Sequence, residues 1–271
     1  MDHTELKREV ADFWDESSCG EVYATGDSDL ERYEAESRAR YSLEPYIPQF
    51  GRFDDARGKD VLEIGVGMGS DHVELARAHP RSLQGIDLTS RAIEHTRQRL
   101  RISGLDSHLQ VADAEALPFE ANEFDLVYSW GVLHHSPDTV RAVDEVWRVL
   151  RPGGLARVMI YHKYALTGYM LWARYGLLKG RPWRGLDDIY WHHLESPGTK
   201  AFSVVQAQGM MSRFSEVACR IQLSFGDLLL GEVGQRHRGL LLTAAKKVWP
   251  RFLLRRVFRN HGLYLLIEAR K

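Results

Sequence analysis

From about residue 58 to residue 161, apolar and polar positions alternate in two rhythms. Short apolar runs at 61–64, 83–87, 109–112, 124–129 and 155–161 are separated by segments whose apolar residues recur every three or four positions. Runs of that length between Gly, Pro and Asp read as buried strands, and most of the spacers read as amphipathic helices. Residues 70–78 predict a helix that stops before Pro80. Residues 89–103 predict another, opened by Thr89 or Ser90 and closed by Gly104. Pro137 stands where a first helical residue belongs, ahead of Val140, Val143, Trp147 and Leu150 at helical spacing. Strands alternating with helices predict an α/β fold on a parallel sheet.

Outside that stretch the rhythm breaks. Residues 163–203 are rich in aromatics and glycine, with Trp172, Trp183, Tyr190 and Trp191, and read as an insertion covering the sheet. Residues 217–223 alternate as a strand and 262–269 read as the last one, while 231–260 look helical with Pro250 as a break. Residues 1–57 read as an acidic helical extension or cap. No repeat or low-complexity linker divides the chain, so one domain, 58–271, is expected, with insertions at about 163–203 and 225–260 forming a lid.

Composition narrows the class. At 271 residues with 44% hydrophobic and 27% charged positions, the chain is neither disordered nor fibrous. A formal charge of −1 argues against a dedicated nucleic-acid binder. Two cysteines, Cys19 and Cys219, cannot build a disulfide framework. The first residues lack the apolar core of a signal peptide, and no run of 18 uncharged apolar residues occurs, so a soluble cytoplasmic protein is expected. The charge is nevertheless uneven. Residues 1–60 hold 16 Asp and Glu against 8 Lys and Arg, whereas 236–271 hold 10 Lys and Arg against Glu268 alone.

The chemistry begins at 61–71, VLEIGVGMGSD, where three glycines follow a buried strand and open a helix. Glycine lets the backbone turn sharply and approach a ligand, and the helix N-terminus offers unpaired N–H groups. A tight turn with no ligand would use the same residues. Asp87 ends the second strand, 22 positions after Gly65, where an acid can accept from both hydroxyls of a ribose or cap the next helix. Asp113 ends the third strand, placed to accept from an adenine amine. The dinucleotide fingerprint G-x-G-x-x-G/A fits poorly, because Ser70 occupies its last position.

VLEIGVGMGS, GIDLTS, DAEALPFEANEFDLVYSWGVLHH and RVLRPGGLARVMIY, in that order, resemble the class I S-adenosylmethionine-dependent methyltransferases, in particular the small-molecule branch that includes the ubiquinone and menaquinone biosynthesis enzymes. The resemblance covers 58–162. It implies a Rossmann-like, seven-stranded, mostly parallel sheet with helices on both faces and an antiparallel last strand. It also implies that Glu63, Gly65, Gly67 and Gly69 surround the methionine part of S-adenosyl-L-methionine. Asp87 would hold the ribose with Leu88 on the adenine, Asp113 and Ala114 would contact the adenine, and Ser129 and Trp130 would lie beneath the cofactor. An aromatic or Arg of the extension would close over it, with Tyr23, Tyr33 and Tyr41 as candidates.

Methyl transfer from a sulfonium needs alignment and exclusion of water, plus a base where the acceptor is a hydroxyl. His134 and His135 follow the fourth strand, and Tyr161 and His162 end the fifth, so these four are the candidate catalytic residues. One of the two adjacent histidines could instead pack or cap the next helix. His192, His193 and Glu195 could reach the same pocket or sit on a solvated loop, and adjacent histidines suit a metal poorly, so no metal is expected. The expected partner is a small-molecule methyl acceptor, not nucleic acid. The alternatives are an NAD(P)-dependent oxidoreductase and a non-catalytic S-adenosylmethionine-binding protein. Residues 246–259 interleave Lys and Arg with aromatics, which suits a surface helix or a peripheral membrane contact, and a homo-oligomer is left open.

Overall fold

The computed structural model describes residues 2–230 and 249–271. Among the described residues seven strands form, β1 (Asp60–Ile64), β2 (Ser82–Asp87), β3 (His108–Val111), β4 (Phe124–Trp130), β5 (Leu150–Tyr161), β6 (Glu216–Gln222) and β7 (Tyr264–Arg270). They make one sheet in the order β3-β2-β1-β4-β5-β7-β6. The first five pair in parallel, and β7 enters antiparallel between β5 and β6. This is the Rossmann-like α/β architecture that the resemblance implied.

Alternation along the strands explains the two covered faces. Leu62, Ile64, Val158 and Ile160 point to one side, against Ala142, Val143 and Val146 of α6 (Thr139–Val149) and Ala207 of α9 (Val204–Met210). Val61, Leu126 and Tyr128 point to the other, against Val73 and Leu75 of α4 (Ser70–Arg77) and Leu100 of α5 (Ser90–Ser103). On that second face Met159, Tyr161 and Leu266 also meet Leu171 of α7 (Leu166–Tyr175) and Ile189 of α8 (Leu186–His193). The insertion at 163–203 is therefore part of the core packing as well as a cover.

Two local expectations are corrected. Pro137 is not the first residue of α6, because the Asp138 carboxylate accepts from Arg141 N at 3.0 Å and caps a helix that starts at Thr139. The fifth strand begins at Leu150, which already pairs with Phe124. Arg151–Gly154 leave the register before Leu155 resumes opposite Leu126, with Gly153 at φ +80° making the turn.

The extension folds as α1 (His3–Glu16), α2 (Asp29–Leu43) and α3 (Tyr46–Gly51). Most of the expected helical stretch at 231–260 lies outside the described residues, and α10 (Arg251–Val257) follows Pro250. Of the basic segment 246–259, the part from 249 onward is described, and there Phe252, Leu253 and Val257 are exposed between arginines. Among the described residues no helix is long and apolar enough to cross a membrane.

Candidate active site

A cavity opens at the C-terminal tips of β1, β2, β4 and β5, roofed by α1 and α2. At one end β1 turns into α4 through Gly65, Gly67 and Gly69, with φ of +83°, +51° and +78°, the left-handed region that glycine tolerates best. The three glycines differ in what surrounds them. A Cβ on Gly65 would meet Val132 Cγ2 at 2.1 Å and one on Gly69 would meet Thr96 Oγ1 at 2.9 Å, whereas one on Gly67 meets no atom within 4 Å. Gly67 is bare because the cavity lies in front of it. The loop is held by Asp87, whose carboxylate accepts from Gly67 N at 3.1 Å and from Thr89 N and Oγ1 at 3.0 Å each. Burial raises the Asp87 pKa above the ordinary aspartate value, against the pull of those N–H groups.

Beside the loop, Glu63 is buried with its Oε2 2.8 Å from His72 Nδ1. Burial pushes Glu63 well up and His72 down to about 3, so both favour their neutral forms. At the tip of β3, Asp113 accepts from Glu115 N at 2.9 Å and from Lys7 Nζ of α1 at 2.5 Å, and Lys7 also reaches Glu115 at 2.7 Å. Leu88, Ala114 and Trp130 line the space between.

The far end is aromatic. Tyr161 and Tyr264 face each other across the β5–β7 pairing with rings 6.0 Å apart and nearly parallel, and Trp130 meets Tyr264 edge-on at 5.7 Å. Tyr161 donates its hydroxyl to Glu195 Oε2 at 2.6 Å. His135 Nε2 lies 3.6 Å from the same oxygen, while His135 Nδ1 lies 2.8 Å from Ser196 Oγ and 3.2 Å from Thr199 Oγ1. Trp14 of α1 closes edge-on over His135 at 5.3 Å. Burial drives His135 down to about 3, so it is neutral at pH 7.

The structure thus brings Glu63, the three glycines, Asp87, Leu88, Asp113, Ala114, Trp130, His135 and Tyr161 to one cavity. Three sequence candidates do not line it. Ser129 precedes Trp130 in β4 and His162 follows Tyr161 in extended backbone just beyond β5, bridged to Phe202, so alternation turns both away. Ser129 donates to Ile64 O at 3.1 Å, and His162 Nδ1 lies 3.1 Å from Gly262 O. His134 is fully buried behind the site, its ring 4.2 Å from that of His135 and 3.9 Å from that of Tyr161, and neither ring nitrogen has a hydrogen-bond partner among the described residues.

The tyrosines proposed to close over the ligand are also corrected. Tyr33 pairs with His95 at 3.3 Å, Tyr41 donates to Asp71 at 3.0 Å, and Tyr23 does not line the cavity. Arg40 lies there instead, bound through both Nε and Nη2 to Asp71 at 3.1 and 2.6 Å. Glu36, Arg40 and Glu44 follow one another at helical spacing along and just beyond α2, a polar stripe that could have been found. Lys7 and Trp14 carried no such signal. Of the three polar residues at 192–195, Glu195 reaches the cavity. His193 stacks on Tyr175 at 4.0 Å, and His192 Nδ1 is 2.8 Å from Asp188 O.

Residues 61–154 match a family model described as a methyltransferase domain. That stretch of the chain is similar to methyltransferase domains. The phthiotriol/phenolphthiotriol dimycocerosates methyltransferase of Mycobacterium tuberculosis is 43% identical over 101 residues, which is 37% of this chain and 37% of that protein. Phosphoethanolamine N-methyltransferase 2 of Caenorhabditis elegans is 29% identical over 173 residues, 63% of this chain and 38% of the relative. The chain thus spans little more than a third of the length of these curated relatives. Among solved structures, Haemonchus contortus phosphoethanolamine N-methyltransferase 2, in complex with phosphomonomethylethanolamine and S-adenosylhomocysteine, superimposes with a TM-score of 0.60 at 16% identity over 97% of this chain and 60% of that one. The [4+2]-cyclase SpnF superimposes with a TM-score of 0.52 at 17% identity over 99% and 92%. These two likenesses show the fold. The second shows that a chain with this fold can bear a name other than methyltransferase.

Proposed function

We propose that this protein is an S-adenosyl-L-methionine-dependent methyltransferase acting on a small molecule. The observation that carries the reading is a cavity that joins a ligand-ready glycine loop, with carboxylates at two neighbouring strand tips, to an aromatic chamber. The open face of Gly67 leaves room for a ligand against the backbone. Asp87, half-buried and already accepting from two backbone amides, is oriented to take ribose hydroxyls, and Asp113 to take an adenine amine. Arg40 suits the carboxylate of the methionine moiety. When bound, S-adenosylmethionine supplies an activated methyl group. The chain's own residues would align the acceptor on Trp130, Tyr161 and Tyr264 and exclude water with Trp14, and His135 and Glu195 are the groups available to orient it or take its proton.

Calorimetric titration with S-adenosylmethionine, S-adenosylhomocysteine and NAD tests this. Micromolar binding of both adenosyl ligands, with NAD at least a hundredfold weaker, is expected. Binding of NAD alone would favour the oxidoreductase alternative and refute the proposal. Flotation with anionic vesicles at low salt tests a peripheral membrane contact through 246–259, for which the exposed Phe252, Leu253 and Val257 are the support.

A further inference from the structure

Two carboxylates meet at the aromatic end of the cavity, and each is tied to one of the two stacked tyrosines. Glu195 accepts from Tyr161 at 2.6 Å, and Glu44 accepts from Tyr46 at 3.3 Å and from the Tyr264 hydroxyl. Burial and the neighbouring glutamates keep both phenols protonated, so they serve as donors to the carboxylates, while burial raises the Glu44 pKa against the pull of Arg40, Tyr264 and Tyr46. The basic side chains among the described lining residues are paired with other acids, although Arg40, one turn before Glu44, also acts on that carboxylate. Arg40 directs both of its hydrogen bonds to Asp71, and Lys7 binds Asp113 and Glu115. The far chamber therefore combines two acids with the rings of Tyr161, Tyr264 and Trp130. Aromatic rings attract a cation through their negative faces, and carboxylates screened from water attract it more strongly than exposed ones.

Resting on the methyltransferase reading, we infer that the acceptor is an amine, received as its ammonium form between Glu195, Glu44 and the aromatic wall. Glu44 is the deeper of the two acids and Glu195, on the loop after α8, keeps about a quarter of its side-chain surface open. The opening suits Glu195 to proton transfer. The ammonium proton passes to its carboxylate, which frees the nitrogen lone pair. That pair forms the N–C bond as the S–C bond of the methyl donor breaks, and the electrons of the broken bond stay on sulfur as a neutral thioether. A neutral alcohol would gain neither the cation–π attraction nor the charge pairing.

The test uses the full chain saturated with S-adenosylhomocysteine, titrated calorimetrically at low salt with choline and with 3,3-dimethylbutan-1-ol, its uncharged carbon counterpart. Choline is expected to bind at least tenfold more tightly. Glu195→Gln, which keeps an acceptor for Tyr161, should reduce that preference at least fivefold while S-adenosylhomocysteine affinity stays within twofold. Glu44→Gln provides a second, independent variant, and its S-adenosylhomocysteine affinity reports whether it has folded. Equal affinity for the two probes, or no binding of either to the loaded protein, overturns the amine assignment and leaves the methyltransferase reading standing. Failure of S-adenosylhomocysteine to bind the unaltered protein overturns the reading beneath it.

Discussion

At the glycine-loop end of the cavity, most of the groups that face a ligand follow one another in sequence from Glu63 to Ala114, with Lys7 and Arg40 added from the extension. Many are backbone amides or carboxylates fixed by backbone amides. At the aromatic end they come from α1, the segment after α2, β4, β5, the loop after α8 and β7, and they are almost all side chains. The two ends are held differently. Asp87 is locked by Gly67 and Thr89 in two neighbouring βα turns, whereas Tyr161 is held by Glu195, and His135 by Ser196 and Thr199, across separate segments. A site built from backbone turns demands particular residues at particular spacings. A site built from side chains needs only that the fold deliver them to one place.

Asp87→Ala strikes the first end hardest. Losing hydrogen bonds to a charged acceptor costs about 1.5–3 kcal/mol, so S-adenosylhomocysteine affinity should fall about 10- to 150-fold by calorimetry in a variant that remains folded. Choline should still bind the folded variant whenever S-adenosylhomocysteine is supplied at saturation. Because burial raises the Asp87 pKa, affinity should begin to weaken on acidification at a higher pH than an unperturbed aspartate near 3.9 would dictate. Asp87→Asn should lack that dependence. Unchanged affinity in folded Asp87→Ala would remove the distinction between the two ends.

How much could be read from the sequence follows the same division. The glycines, Asp87 and Asp113 were legible because left-handed φ values and strand-tip positions restrict which residues can stand there. So were the strands, whose burial alternates or is continuous as the sheet requires. Lys7 and Trp14 were not, because an exposed-looking acidic extension gives no hint of the surface it will cover, and of its residues the i, i+4 stripe of Glu36, Arg40 and Glu44 was the one legible sign. His162 and Ser129 were misplaced by one position, which in a strand is enough to reverse the direction of a side chain. His134 and His135 looked interchangeable, and packing separated them.

Gly67→Ala sharpens the contrast at smaller magnitude. No atom lies within 4 Å of the new methyl, so packing is undisturbed and the fold loses only the left-handed backbone preference, about 1 kcal/mol. The methyl stands in the cavity, so adenosyl ligand affinity should fall about tenfold. Gly69→Ala has the opposite profile, because its Cβ would press on Thr96 Oγ1 and Cα at 2.9 and 3.0 Å. It should lose more stability in urea unfolding. Equal profiles for the two variants would mean that the open face of Gly67 is not a ligand surface.

His134→Phe gives the smallest change, and one of opposite sign. A buried ring with neither nitrogen partnered carries a desolvation cost that an apolar ring of similar shape avoids. The variant should therefore gain about 1 kcal/mol at pH 7.5 by urea unfolding. Burial, with help from His135 and Lys200, holds the His134 pKa well below its ordinary value. The unfolded chain takes up a proton near pH 6.5 that the folded chain refuses, so this residue's contribution to stability declines as pH falls through that point. The advantage of His134→Phe should then widen by close to 1.4 kcal/mol per pH unit below about pH 6. A variant that is less stable at neutral pH, with an unchanged gap at pH 5.5, would show that His134 has a polar partner in solution. It would then belong to the working surface of the aromatic end and not to the packing behind it.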